Sequence, residues 1–272
     1  MPLEDHIGDI CRKARMQTNT PIAAVAAAAG VEESALDVWE TDGDLATGVN
    51  VAALAELLNL NVAKAAAVAE GWEPEPVDVG QWGFLRMITT TGSFDVNSFV
   101  IWDDATRETA VFDTGWFADD IFQLAEAEGL KMEHLFITHM HGDHVAAMGE
   151  VRKQWPAIQL HTNNSGAPEK NRVQEGKATM VGGLRITPQL TPGHAEDGVT
   201  YVIEDWPGNA PAVAVVGDAI FAGSMGKDFS TPELAQRKVR EEILSLPPET
   251  LICSGHGPLT TVGEELEYNP FF

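Results

Sequence analysis

Two kinds of hydrophobic patterning divide this chain. Over its first seventy or so residues the apolar positions recur at helical spacing. Ile22, Val25, Ala29, Val31, Leu36, Trp39, Leu54, Leu57 and Leu58 form one stripe interrupted by turn residues. The pattern predicts helices over 4–16, from the Thr20-Pro21 start to a stop at Gly30, and over 32–41, 51–58 and 62–70. From Gln81 onward the period changes. Strands are expected over 85–89, 98–102, 109–112, 134–137, 159–161, 184–188, 199–203, 212–216 and 250–253, with helices over 118–128 and 232–244. Strands interleaved with helices build a layered α/β domain. The expected organisation is a small all-α domain over 1–72, a linker over 73–80 and an α/β domain over 81–272. Gly71-Trp72-Glu73-Pro74-Glu75-Pro76 reads as a stiff, polar connection.

Charge narrows what the helical part can do. The 272 residues carry 17 Lys plus Arg against 41 Asp plus Glu, a formal net charge of −24. So negative a surface repels phosphate backbones and anionic lipid, and it suits solubility at high salt. Helix, Gly-containing turn, helix resembles the Cro/phage-repressor type of helix-turn-helix, from Ile10-Cys11-Arg12-Lys13-Ala14-Arg15 through Ala52-Ala53-Leu54-Ala55-Glu56-Leu57-Leu58. A helix that reads DNA needs cations and amides. The third helix instead holds Glu32, Glu33, Asp37 and Glu40 and no basic residue. The reading is a degenerate helix-turn-helix kept for homodimerisation or for docking on the second domain, with no nucleic-acid partner. Two cysteines, Cys11 and Cys253, make no disulfide framework. The N-terminus has no signal-like apolar run and no segment is long enough to span a membrane. A cytoplasmic protein without a membrane partner is expected.

The chemistry gathers after strand 134–137, in Thr138-His139-Met140-His141-Gly142-Asp143-His144. Alternate residues of an extended segment point the same way, so His139 and His141 can converge on one ion. A turn into a helix near His144 lets Asp143 and His144 face a second. Imidazole and carboxylate are ligands that zinc, iron and manganese accept. His194, Asp218 and His256 stand at further strand-to-loop junctions, in Thr191-Pro192-Gly193-His194, Val216-Gly217-Asp218 and Ser254-Gly255-His256-Gly257.

This ligand order resembles that of the metallo-β-lactamase superfamily, over about residues 80–272. The resemblance implies an αβ/βα sandwich with two divalent ions at one edge, zinc first, with iron or manganese as alternatives. It assigns His139, His141 and His194 to one ion, Asp143, His144 and His256 to the other, and Asp218 as the bridge. Gly217-Asp218-Ala219-Ile220-Phe221, Gly223-Ser224-Met225-Gly226-Lys227 and Gly255-His256-Gly257-Pro258 look most like glyoxalase II-like hydrolases, as does the closing Asn269-Pro270-Phe271-Phe272. That group implies hydrolysis of a small-molecule thioester such as S-lactoylglutathione, by a hydroxide shared between the ions. Asp143 and Asp218 are the catalytic carboxylates of this reading, and Lys227 is the cation for the thiol carrier's carboxylate. Gly257 stands where full-length members tend to present an aromatic residue, and Glu196-Asp197 after His194 predicts an acidic pocket rim. Phe94, Trp116, Phe117, Met225 and Phe229 flank these loops as candidate walls. A lactonase or β-lactamase would use the same ions, and a metal-sensing DNA-binding regulator is the alternative from another class.

Overall fold

A computed structural model of the chain describes residues 1–43, 48–227 and 231–272. Five helices come first: α1 (Ile7–Gln17), α2 (Ile22–Ala29), α3 (Glu33–Asp42), α4 (Val51–Leu57) and α5 (Val62–Ala69). Their ends follow ordinary capping chemistry. His6 caps α1 by accepting from the Asp9 amide, Asn50 and Asn61 cap α4 and α5, and left-handed Gly30 ends α2. Pro21, not Thr20, occupies the N-cap of α2, because its backbone is still extended (φ −60°, ψ 140°).

The α/β part holds two sheets. The first contains β1 (Leu85–Thr91), β2 (Asp95–Trp102), β3 (Glu108–Phe112), β4 (Lys131–Phe136) and β5 (Gln159–His161), in that order. Here β1–β2 and β2–β3 pair antiparallel, while β3–β4 and β4–β5 pair parallel. Helices α6 (Asp119–Glu128), α7 (Gly142–Val145) and α8 (Met148–Gln154) lie on its connections. The second sheet runs β11-β10-β9-β8-β7-β6, built from β6 (Thr179–Val181), β7 (Leu184–Leu190), β8 (Val199–Glu204), β9 (Val213–Gly217), β10 (Leu251–Ser254) and β11 (Thr260–Thr261). Between β9 and β10 comes α9 (Pro232–Lys238), continuing through a wider π turn over Val239–Ile243. The last helix is α10 (Val262–Tyr268).

Alternation along the strands explains the layers. Phe99, Ile101, Ala110 and Phe112 point inward and meet Tyr201, Val213, Val215, Leu251 and Cys253 of the other sheet. Their neighbours Val100, Trp102 and Val111 face outward, against Ile121 and Ala125 of α6 and Val151 of α8. Ala214, Val216 and Ile252 likewise face Val239, Ile243 and Val262. Helices therefore cover both outer faces of a two-sheet sandwich. The short strands β6 and β11 and the helices α8 and α10 lie outside the sequence expectation, which short or weakly periodic segments do not reveal.

The helical unit is not held at arm's length. Its core includes Met225, Ala235 and Phe271 beside Ile10, Leu36, Trp39 and Leu54. The connecting segment packs on the last helix: Trp72 stacks on Tyr268 with ring centroids 4.8 Å apart, and the Glu75 amide donates to Glu264. Asn61 N–H donates to Pro270 O, and Lys64 Nζ to Leu266 O. Buried Glu265 of α10 accepts from the Gly223 amide, Thr260 Oγ1 and Asn269 Nδ2, and Asn269 also donates to Ser224 O at 2.7 Å. Through these bonds the Asn-Pro-Phe-Phe end braces the loop that follows β9. No helix among the described residues is long and apolar enough to cross a membrane.

Candidate metal centre

Strand ends deliver every polar residue of the centre. β3 runs into Asp113, β4 into Thr138–His144, β7 into His194, β9 into Asp218 and β10 into His256. The turn that begins α7 at Gly142 brings the His144 ring back beside His139, with ring centroids 4.1 Å apart, and places Asp143 toward His256.

Three clusters of ligand-type atoms result: His139, His141 and His194; Asp143, His144 and His256; and His139, His144 and Asp218. His141 Nδ1 lies 3.0 Å from His139 Nε2 and 2.8 Å from His194 Nε2. Asp143 Oδ2 lies 3.4 Å from His144 Nε2 and 3.3 Å from His256 Nε2. Asp218 stands between the groups. Its Oδ1 is 3.2 Å from His144 Nε2, and its Oδ2 is 3.3 Å from His256 Nε2 and 3.4 Å from His194 Nε2. Nitrogens bound to a tetrahedral zinc ion at about 2.05 Å would sit about 3.3 Å apart, so this spacing fits a cation. Gly255 permits the closeness, because a Cβ there would collide with Asp218 Oδ1 and His144 Cε1.

The outward nitrogens are each tied down. His144 Nδ1 donates to Asp113 Oδ2 at 2.7 Å, His256 Nδ1 to Asp95 O at 2.6 Å and His194 Nδ1 to Lys227 O at 3.1 Å. His139 Nδ1 lies 3.1 Å from Thr138 Oγ1, which itself donates to Asp113 Oδ2 at 2.7 Å and so accepts from the ring. In all four rings Nε2 is left facing the centre. His144 Nε2 and Asp218 Oδ1 are buried 3.2 Å apart and have no well-aligned hydrogen bond to each other or to any other group. Buried polar atoms placed this way are costly in a folded protein unless something binds them.

Asp113 is the residue sequence reasoning missed. Its carboxylate orients His144 directly and His139 through Thr138, and also accepts from the Thr138 amide at 2.8 Å. It adopts φ +56°, a left-handed conformation that aspartate tolerates better than most residues. Its position at a strand end beside Thr114-Gly115 was the available signal, but a single strand-end aspartate also suits a turn.

Electrostatics match the arrangement. Burial, joined by the nearby His144 ring, pushes the His139 pKa down to about 2, so that ring is neutral. Burial opposes charge on His144 too, but Asp113 and Asp218 outweigh it and carry the pKa up to about 10. At His256 burial is likewise outweighed, by Asp143 and Asp218, and the pKa rises to about 11. Burial would raise Asp218, yet His144 and His256 hold it well below the usual carboxylate range. A consequence follows for metal uptake. In the metal-free protein His144 and His256 carry protons at neutral pH, and a metal must displace them. Zinc binding near pH 7 should therefore release about two protons, and affinity should fall as pH falls. Calorimetry in buffers of different ionisation enthalpy measures this; proton-neutral binding would contradict it.

Beside these groups opens a cleft of about 360 Å³, lined among others by Phe94, Phe221, Lys227 and, from the helical unit, Glu4, Asp5 and Lys13. Several expected walls lie elsewhere. Met225 is buried in the helical core, Trp116 packs behind Phe94, and exposed Phe117 does not line the cleft. Phe229 falls outside the described residues. Glu196 and Asp197 border a separate hollow with Asn163 and Asn164, since the Asn164 amide holds Asp197 there at 3.1 Å. The carboxylates that line the cleft from the helical unit are Glu4 and Asp5, and Asp5 is buried in an ion pair with Lys13.

Residues 91–256, more than half of the chain, match the sequence profile of the metallo-beta-lactamase superfamily. The chain belongs to that superfamily. Within it, the chain is 29% identical to "Probable metallo-hydrolase YqgX" of Bacillus subtilis, over 64% of this chain and 90% of that protein. It is 26% identical to hydroxyacylglutathione hydrolase GloC of Haemophilus influenzae, over 69% of this chain and 97% of that one. The solved structure of the BLEG-1 B3 metallo-beta-lactamase superposes with a TM-score of 0.59 at 26% identity, covering 69% of this chain and 98% of its own. The αβ/βα fold of this superfamily is thus the fold of residues 85–268.

Proposed function

We propose that this superfamily member is a dinuclear metal-dependent hydrolase of small thioesters. One observation carries the reading: four imidazoles with their outward nitrogens anchored turn Nε2 toward Asp218, which lies between two clusters of ligand atoms. In this reading His139, His141 and His194 hold one divalent ion, Asp143, His144 and His256 hold the other, and Asp218 bridges them. Such ions, when bound, polarise an acyl carbonyl and lower the pKa of water, and zinc, iron and manganese all suit the donor set.

The chain's own residues do the rest. Asp113, Thr138, Asp95 and the Lys227 carbonyl keep the rings in register, so no reorganisation is needed during turnover. Asp143, 3.3 Å from His256, is held below the usual carboxylate range by the hydrogen bond from His256 despite burial, which keeps it ionised and able to hold an ion or orient the attacking water. Phe94 and Phe221 supply apolar walls, and the Lys227 side chain at the cleft meets a carboxylate of the thiol carrier. The likeness to GloC supports a thioester, and a thiolate leaves without obligatory protonation. The likeness to BLEG-1 favours a second reading, a β-lactam handled by the same groups, of which a lactone is the cyclic-ester counterpart.

Metal content per chain, measured with hydrolysis of S-lactoylglutathione in the wild type and in His139→Ala, tests the proposal. Close to two metals, and activity lost in the variant, is the expected result. Two metals without thioester turnover would move the substrate to lactones or β-lactams. One metal or none would overturn the dinuclear reading.

A further inference from the structure

The relatives above are matched over nine-tenths of their length or more, yet about a third of this chain lies outside the match. The helices fall in that remainder, before the superfamily match begins at residue 91. They are nevertheless part of the cleft. Lys13 of α1 is 3% exposed and forms an ion pair with Asp5, which is 5% exposed. Its Nζ also donates to Met225 O at 2.8 Å and sits 5.0 Å from the Phe221 ring centre. A buried ammonium is tolerated only when its partners are fixed, so this pair pins whatever it touches.

What it touches is the loop between Asp218 and Lys227. Met225 is anchored twice, by its carbonyl on Lys13 and by its side chain in the helical core. Gly226 packs against the Asp218 carbonyl so closely that a Cβ would collide with it and with the His194 ring. Two residues beyond Met225, the Lys227 carbonyl accepts from His194 Nδ1. The far side of the cleft repeats the dependence. Gly257 has no side chain, and the backbone of Glu4 fills that place: a Cβ at 257 would come within 3.0 Å of Glu4 N.

We propose that the N-terminal helical unit is a built-in wall of the metal cleft, and that Lys13 is a positioning residue: paired with Asp5, it holds Met225 so that the Lys227 carbonyl keeps His194 Nε2 turned to the centre. This rests on the metal reading above. It gives the helical unit a role inside the hydrolase rather than beside it, and one that the matched relatives must meet by other means.

The test uses the full chain and zinc itself, titrated against a chromophoric chelator. The double variant Asp5→Asn/Lys13→Met removes both charges together, so neither is left buried alone. Its zinc-free melting temperature should stay within a few degrees of wild type, while the zinc Kd rises about tenfold or more. The comparison pair is Arg15→Met/Glu40→Gln, which removes an ion pair of 2.6 Å inside the helical unit, outside the cleft lining. It should lower the melting temperature and leave the zinc Kd unchanged. An unchanged Kd in the folded Asp5/Lys13 variant overturns the inference, as does an equal loss of zinc affinity in both variants, which would mark a merely structural role. If the double variant does not fold, Lys13→Arg keeps the charge but not the shape of the Met225 contact. It should raise the Kd several-fold, and an unchanged Kd again overturns the inference. Two zinc ions in the wild type with no effect of Lys13 would fail this inference alone; no zinc uptake by the wild type would fail the metal reading and this inference with it.

Discussion

In the proposed dinuclear hydrolase, Asp218→Asn should abolish hydrolysis, lowering kcat by roughly 10³-fold or more, and leave one bound metal ion per chain or none. The side chain is 7% exposed and presents one oxygen to His144 and the other to His194 and His256. No other carboxylate among the described residues faces both clusters in this way. Asparagine preserves the volume but replaces one oxygen with a donor and removes the charge, so two cations can no longer share it. The fold should survive, because His144 keeps Asp113 and His256 keeps Asp143 as an acidic partner and β9 keeps its ladder with β8 and β10. Metal analysis beside circular dichroism separates the two effects. Full occupancy in a folded, active variant would exclude Asp218 as the bridge.

Asp113→Ala has the second largest expected effect, and it acts on stability and metal together. The variant leaves His144 Nδ1, Thr138 Oγ1 and the Thr138 amide without their acceptor inside the protein. Removing one partner of a buried pair and stranding an amide costs about 3–5 kcal/mol. Loss of the anchor for His144, and through Thr138 for His139, should weaken metal binding by about 10–100-fold. Denaturant unfolding of the metal-free protein reads the first effect and chelator competition the second. Asp113→Asn retains an acceptor for Thr138 and should recover part of the stability but little of the metal affinity. A variant that unfolds more easily yet binds metal normally would show Asp113 to be structural only.

Much of the fold was legible because its signals are local. The unbroken apolar runs Phe99–Trp102 and Val213–Val216 report strands buried on both faces, one toward the other sheet and one toward a helix, and those strands stand where expected. The short β6 and β11 were not legible, since three or two residues hold no period. Neither was α10: its start is set by the Thr261–Glu264 capping box and its burial by Glu265, a carboxylate no hydrophobic pattern selects. Met225, a candidate wall read more readily as core, is core, and Glu196-Asp197 form no rim, for one reason. Closeness in sequence to a motif does not say which way a loop turns, and both loops turn their side chains elsewhere.

The candidate centre divides along the same line. The sequence by itself determined the donor inventory, because histidines and aspartates at the ends of several strands are recognisable from type, order and local pattern. Only the tertiary structure decided how they meet. It brings Asp218 between rings from three separate loops, turns Asp113 under His144 and His139, and seats Lys13 and Glu4 of the helical unit against the loops of the centre. Lys13 and Met225 alone are 212 positions apart in the chain. They depend on the packing of two sheets and a helical unit around one cleft, and residue spacing along the chain carries no record of that packing.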